Sequence, residues 1–213
     1  MKKLLLTGWV MLALIACKNN EKKEADKTEV KQEQVVEKEA PAPDFDHKKY
    51  KMKGMLLAKS TFKVFKSKIE EVGSQQGLPA VVDFCHANAQ KLTDSIGKAH
   101  HVEMRRTSHK LRNPKNEPTK YEMDVLNQYL EMINKNQRLE PIVRKEKDGY
   151  VHFYAPIKVK EKCLQCHGQP GTEIKEVVLE KIKEKYPEDK ATGFKVGDLR
   201  GIWDIKFLDQ TTK

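Results

Sequence analysis

The 213-residue sequence predicts an α+β fold, with helices first and then mostly antiparallel strands carrying helical insertions. Three observations point there. Apolar residues recur at three- and four-residue steps from Met55 to Val72 and again from Val82 to Ile96. Residues 100–106 and 150–155 alternate with a period of two, as half-buried strands do. Between two such runs sits Asp148-Gly149, a strong local signal for a hairpin. The length suits one domain of ordinary size.

Taken in order, the first helix begins near Lys48, with Met55, Ala58, Phe62, Phe65, Ile69 and Val72 on its apolar face, and is expected to end around Gly73. A second helix over 78–96 has Pro79 in its first turn. Val82, Cys85, Ala89, Leu92 and Ile96 form its apolar face, so Cys85 points inward, where a free thiol is commonly a small buried hydrophobe. His86 lies about 100° away around that helix. Residues 100–106 follow as a short strand with Val102 and Met104 on one face, then a loop to Pro118. Thr119-Lys120-Tyr121-Glu122 is a capping box opening a helix with Leu126, Tyr129, Leu130 and Ile133 inside. Residues 141–157 read as a hairpin. Tyr150, His152 and Tyr154 share one face of its return strand, and Val151, Phe153 and Ala155 the other. Residues 173–186 make a helix through Ile174, Val177, Val178 and Ile182. Gly193, Gly197 and Gly201 then mark turns into a last strand, 202–208. The sheet is expected to carry its helices to one side.

Immediately after the hairpin stands Cys163-Leu164-Gln165-Cys166-His167-Gly168, the C-x-x-C-H signature of c-type haem attachment. Two thiols separated by two residues on a helical turn reach the two vinyl groups on one edge of the porphyrin. The next side chain, His167, then offers a ring nitrogen to the iron. Half of a zinc site would need two further Cys or His ligands. A bare C-x-x-C would leave zinc or a redox dithiol open. The contiguous His167 and the export signal favour a single covalent haem c.

That signal is the N-terminus. Lys2 and Lys3 precede a 13-residue apolar run from Leu4 to Ala16, a signal peptide over 1–16 and too short to span a membrane. The run closes Leu14-Ile15-Ala16-Cys17, which resembles the lipobox of bacterial lipoproteins, where the Cys becomes the lipid attachment site. The alternative is an ordinary signal peptide with Cys17 an incidental thiol. Acyl chains on Cys17 would suffice for stable anchoring in the cell envelope, on the periplasmic side or at the outer membrane. Residues 18–43 hold Lys, Glu, Gln, Val, Ala and Pro with no aromatic, and are expected to be a disordered tether of roughly 25–30 Å reach. The domain is then 44–213. Of four cysteines, Cys17, Cys163 and Cys166 have roles and Cys85 is left over, unusual in an oxidising compartment. Formal charge is +10, of which the domain carries about +9, since Lys2 and Lys3 leave with the signal and the tether holds six Lys and seven acids. A basic domain can face anionic lipid or an acidic partner. No Lys/Arg stripe interleaved with aromatics suggests nucleic acid.

No Met follows Met132, and His167 is the one His after Cys163, so either a second axial ligand comes from upstream, from Cys85, His86, His100, His101, Met104, His109 or His152, or that side of the iron is open. The residues alone favour Cys85 and His152, each in an element expected to pack in the core, and do not choose between them. The two propionates of a haem need cations where they leave solvent, and Arg106 and Arg112 in the 106–118 stretch, with Lys110 between them, are the candidates.

Three stretches together are similar to the haem c-binding PAS-like domain family: residues 106–114 with Asn116 and Pro118, the Cys163–Gly168 motif, and residues 186–194 continuing through 197–201. The likeness runs from about Met55 to Phe207. His109 stands where the family has an apolar residue and Tyr121 where Trp is frequent. The resemblance implies a PAS-like antiparallel sheet with flanking helices, and it implies that Cys85, in Val82-Asp83-Phe84-Cys85, is the distal ligand opposite His167. Members occur as exported monohaem proteins and as extracytoplasmic sensor modules. Two functions are therefore expected to compete: electron transfer with a redox partner protein, and haem-based sensing of redox state or a diatomic gas. With no transmembrane stretch after the sheet, sensing would need a separate partner. No nucleophile–base pair suggests an enzyme.

Overall fold

Two long helices open the described region, residues 45–209 of a computed structural model. The signal peptide over 1–16, Cys17 and the tether to residue 43 lie outside the described residues. Helix α1 (His47–Gln76) is capped by the Asp46 carboxylate, which accepts the Lys49 N–H at 2.9 Å. It runs through Gly73, where the sequence suggested a stop, because an interior glycine costs a helix only about 1 kcal/mol relative to alanine. The stop is Gly77, at φ +83°, whose N–H bonds the Gly73 carbonyl at 3.1 Å. Helix α2 (Leu78–Ala99) then starts with Pro79 in its first turn, as expected.

Strands β1 (Val102–Thr107), β2 (Ile142–Lys145), β3 (Val151–Lys158) and β4 (Leu199–Phe207) form one antiparallel sheet in the order β1-β4-β3-β2. The pairings Met104↔Ile205, Phe153↔Ile205 and Val143↔Phe153 define one face. Val102, Met104, Val151, Phe153, Trp203, Ile205 and Phe207 on that face meet Tyr50, Leu57, Ala58 and Phe65 of α1 in the main core. A Cβ built at Gly54 would overlap the Phe153 ring, so α1 lies directly on β3. Phe62, expected inside, points outward and is 39% exposed. The buried stripe passes instead through Gly54 and Thr61, which carry no apolar signal.

The opposite face is covered too, which corrects the expectation of helices to one side. Helix α3 (Lys120–Asn134) packs Val125, Leu126 and Tyr129 on Tyr154, Leu199 and Ile202. Its capping box forms as read: Thr119 Oγ1 accepts the Glu122 N–H at 3.3 Å, and Glu122 Oε2 accepts the Thr119 N–H at 2.7 Å. The β2–β3 hairpin turns where Asp148-Gly149 predicted, with the Gly149 N–H on the Glu146 carbonyl at 3.0 Å and Gly149 at φ +87°. Asp148 is not left-handed, so this is a longer loop than a two-residue turn.

After β3, a 3-10 turn (Glu161–Cys163) leads into α4 (Leu164–His167). Helix α5 (Glu176–Lys185) begins three residues later than expected, since the Gln169 carbonyl collects the N–H groups of Thr172, Glu173 and Ile174 in a turn. Val177 faces solvent, while Val178, Ile182 and Tyr186 pack on Val82 of α2. The α+β plan with one antiparallel sheet and flanking helices is the observed fold, and residues 45–209 fall within a single compact unit.

Candidate functional site

The site forms where three distant stretches of chain are stitched together by hydrogen bonds. The first is the C-x-x-C-H turn. A single helical turn, closed by the Gly168 N–H on the Leu164 carbonyl at 2.8 Å, sets Cys163 and Cys166 three residues apart on one side, with His167 following. The second is residues 189–194. The Phe194 N–H donates to the His167 carbonyl at 2.9 Å and the Gly193 N–H to the Gly168 carbonyl at 2.8 Å. The third is residues 108–112. Arg112 donates through Nε and Nη2 to the two Asp189 oxygens at 3.2 and 3.0 Å, and through Nη2 to the Cys166 carbonyl at 2.6 Å and the Ala191 carbonyl at 3.2 Å. The Lys190 N–H reaches the Leu111 carbonyl at 2.7 Å, and Lys110 Nζ the Thr192 carbonyl at 3.2 Å. Arg112 is thus the clamp of the site, only 13% exposed in its side chain.

His167 is oriented by the same network. Its Nδ1–H donates to the Ala191 carbonyl at 2.8 Å, which leaves Nε2 with its lone pair. Arg200 Nε approaches the same Nδ1 at 3.3 Å. Because that nitrogen already carries the proton, the contact is a close approach and not a second hydrogen bond. Burial, then the charges of Arg200 and Arg112, hold the imidazole well below its ordinary pKa. It is neutral, the form that ligates a metal.

Cys85 on α2 is brought to this site. Burial raises its thiol pKa against the opposing pull of Arg106 and Arg112, and Cys85 in turn acts on Cys166, whose thiol burial pushes up to about 11. Arg106 belongs to β1, opposite Trp203, so it projects towards α1 and α2. Its guanidinium carbon sits 4.2 Å from the Phe65 ring centroid and 5.3 Å from that of Trp203. Arg200 donates through Nη1 to the Lys110 carbonyl at 3.2 Å and lies 5.5 Å from the Phe194 centroid. Burial first, then Arg112, lowers it to about 10.

The remaining upstream candidates other than His109 are elsewhere or otherwise engaged, while His109 stays beside the site with its buried Nδ1 unpartnered among the described residues. His152 is on the α3 face, bonded to Asp204 Oδ1 at 2.9 Å and Asp148 Oδ2 at 3.1 Å. His100 and His101 are exposed at the start of β1, and Met104 is buried in the main core. His86 is exposed, its ring 5.2 Å from that of Tyr186. His109 lies 6.2 Å from Phe194, the ring that also borders His167 at 6.3 Å. Cys17 lies outside the described residues. Among the described residues, no three His, Cys, Asp or Glu side chains are arranged to hold a metal ion.

The donor set suits a haem. It offers two thiols on one turn, a neutral imidazole and a further sulfur. Among the described residues, Arg112 has a carboxylate partner while Arg106 and Arg200 form no ion pair. Two guanidinium groups outside any ion pair match two propionates in number and sign. Arg106 and Arg112 stand out in the sequence, whereas Arg200, at the start of β4 between Leu199 and Gly201, carries no local signal for the site. Ala191 acts through its carbonyl, which leaves no side-chain signature.

The family model described as Tll0287-like matches residues 21–207. The chain belongs to that family. A solved relative, titled the cyanobacterial heme-protein Tll0287, is 33% identical, covering 61% of this chain and 73% of its own, with a TM-score of 0.48. No curated protein matches the chain. The stretches that meet at the C-x-x-C-H turn all lie inside the span shared with the Tll0287-like model.

Proposed function

We propose that this Tll0287-like domain holds one haem c, covalently through Cys163 and Cys166, with His167 and Cys85 as axial ligands, and serves in electron transfer from a lipid anchor at Cys17 in the cell envelope. The observation that carries the reading is the convergence of Cys85, Cys166 and the neutral His167 with two arginines that have no carboxylate partner. The heme-protein among the solved relatives adds support. Bound there, the group supplies a one-electron couple. The chain's own residues set its character: a thiolate donor stabilises the oxidised metal and lowers the potential, while the Ala191 carbonyl on Nδ1 makes His167 a better donor.

A second reading, sensing of redox state or a diatomic gas, is favoured by one feature. Cys85 stands on α2, apart from the C-x-x-C-H turn, so its sulfur can leave the metal while both attachment thiols stay in place. A redox titration followed by absorption and EPR separates the two. A low potential with an unchanged ligand set in both states, inert to carbon monoxide, supports the carrier. Loss of the sulfur ligand on reduction with fast carbon monoxide binding supports the sensor. A ferric spectrum without a thiolate signature overturns Cys85 ligation in both.

A further inference from the structure

Helix α1 carries an uneven distribution of charge. From residue 47 to 68 it holds eight lysines and no acid. Its outward stripe steps from Met52 and Leu56, 58% and 70% exposed, to the exposed Lys59 and Lys63. The stripe does not end on the helix. Lys160 Nζ lies 5.5 Å over the centroid of the outward-facing Phe62, and Lys162 pairs with Glu70 at 2.9 Å. These two lysines immediately precede Cys163, so the basic face of α1 runs up to the haem-attachment turn.

We propose that this face, centred on Phe62 with Lys59, Lys63, Lys160 and Lys162 around it, is where a redox partner with an acidic surface docks to exchange electrons. The inference rests on the haem reading above. Electron exchange falls off steeply with distance, so a partner must approach the turn that holds the attachment thiols. Lysines of one sign around a small apolar centre steer such an encounter and fix its orientation without tight binding. An anionic lipid surface is the other occupant with the right charge, but the face fits it less well. It is shared between a helix and a separate turn, contains Glu70 and Glu161, and offers three exposed apolar side chains, Met52, Leu56 and Phe62, a small area to bury among acyl chains.

The test uses the full-length holoprotein carrying Cys17→Ser, so that no lipid competes, on gold coated with carboxylate- or amine-terminated alkanethiol. Adsorbed mass and electron-exchange rate are read separately. Exchange is expected to be roughly tenfold or more faster on the carboxylate surface. Lys59→Glu/Lys63→Glu/Lys160→Glu should abolish both adsorption and the rate advantage. Lys120→Glu/Lys135→Glu/Lys147→Glu, on exposed positions away from α1, should leave both in place. Equal rates on the two surfaces, or equal damage from the two triple variants, would overturn the inference while a coloured protein kept the haem reading intact. A colourless protein would overturn both. Lysine-dependent sedimentation of the same chain with phosphatidylglycerol vesicles at physiological salt would assign the face to lipid and also overturn it.

Discussion

Replacing Arg112 by alanine removes the side-chain clamp that adds to the backbone hydrogen bonds between the C-x-x-C-H turn and residues 189–194. The guanidinium and the Asp189 carboxylate are 13% and 8% exposed and meet through two hydrogen bonds. Arg112 also donates to the Cys166 and Ala191 carbonyls. Removing one partner of such a pair leaves a buried charge uncompensated, at a cost of about 3–5 kcal/mol. At a urea slope of about 2 kcal/mol/M, the unfolding midpoint should fall by roughly 1.5–2.5 M. Because Asp189 is then the stranded group, adding Asp189→Asn should harm the variant less than it harms the parent, with a coupling of about 0.5–3 kcal/mol. Lys68→Ala is the control. Its pair with Glu71 is 49% exposed on both sides and should contribute about 0–1 kcal/mol. Urea unfolding followed by circular dichroism measures the parent and all four variants. A loss below about 1 kcal/mol for Arg112→Ala, or strict additivity with Asp189→Asn, would refute the assignment of Arg112 as the clamp.

Other expectations follow from the same geometry. Gly54→Val drives a side chain into the Phe153 ring and should lower stability by about 1–3 kcal/mol or more, and an unchanged melting temperature would contradict the packing of α1 on β3. Burial pulls the His152 pKa down, but the hydrogen bonds and charges of Asp204 and Asp148 outweigh it and leave the folded value raised. Its contribution should therefore be complete below the unfolded value of about 6.5 and vanish as pH rises through the higher folded value. The stability difference between the parent and His152→Gln should shrink over that window, and a difference that grows with pH would reverse the sign. Cys85→Ala should change the ferric absorption spectrum, and a spectrum identical to the parent's would remove Cys85 as a ligand.

Much of the fold was legible because its signals are local. The Thr119–Glu122 capping box, Pro79 in the first turn of α2 and the glycine of the β2–β3 turn each impose a conformation by their own chemistry. Signals of packing were harder to read. Gly54 and Thr61 line the buried face of α1 without being apolar, which turned Phe62 outward against the expected stripe. The sheet alternates with apolar side chains on both faces, so a second helical layer through α3 was not evident from period alone. At the site, Cys163, Cys166 and His167 announced themselves by spacing. Cys85 and His152 looked alike as inward side chains. Strand register separates them, since β3 turns His152 to the α3 face while β1 turns Arg106 towards Cys85. The clamp made by Arg112, Asp189 and the Ala191 carbonyl joins residues far apart in sequence, and no local pattern encodes it.

The central claim is tested most directly by the intact mass and alkaline pyridine spectrum of the protein purified from a host competent in haem export and attachment. The account predicts a mass raised by one haem, a c-type pyridine spectrum, and loss of both in Cys163→Ser/Cys166→Ser. An unmodified mass, or a coloured protein that releases its haem to acidified organic solvent, would contradict it.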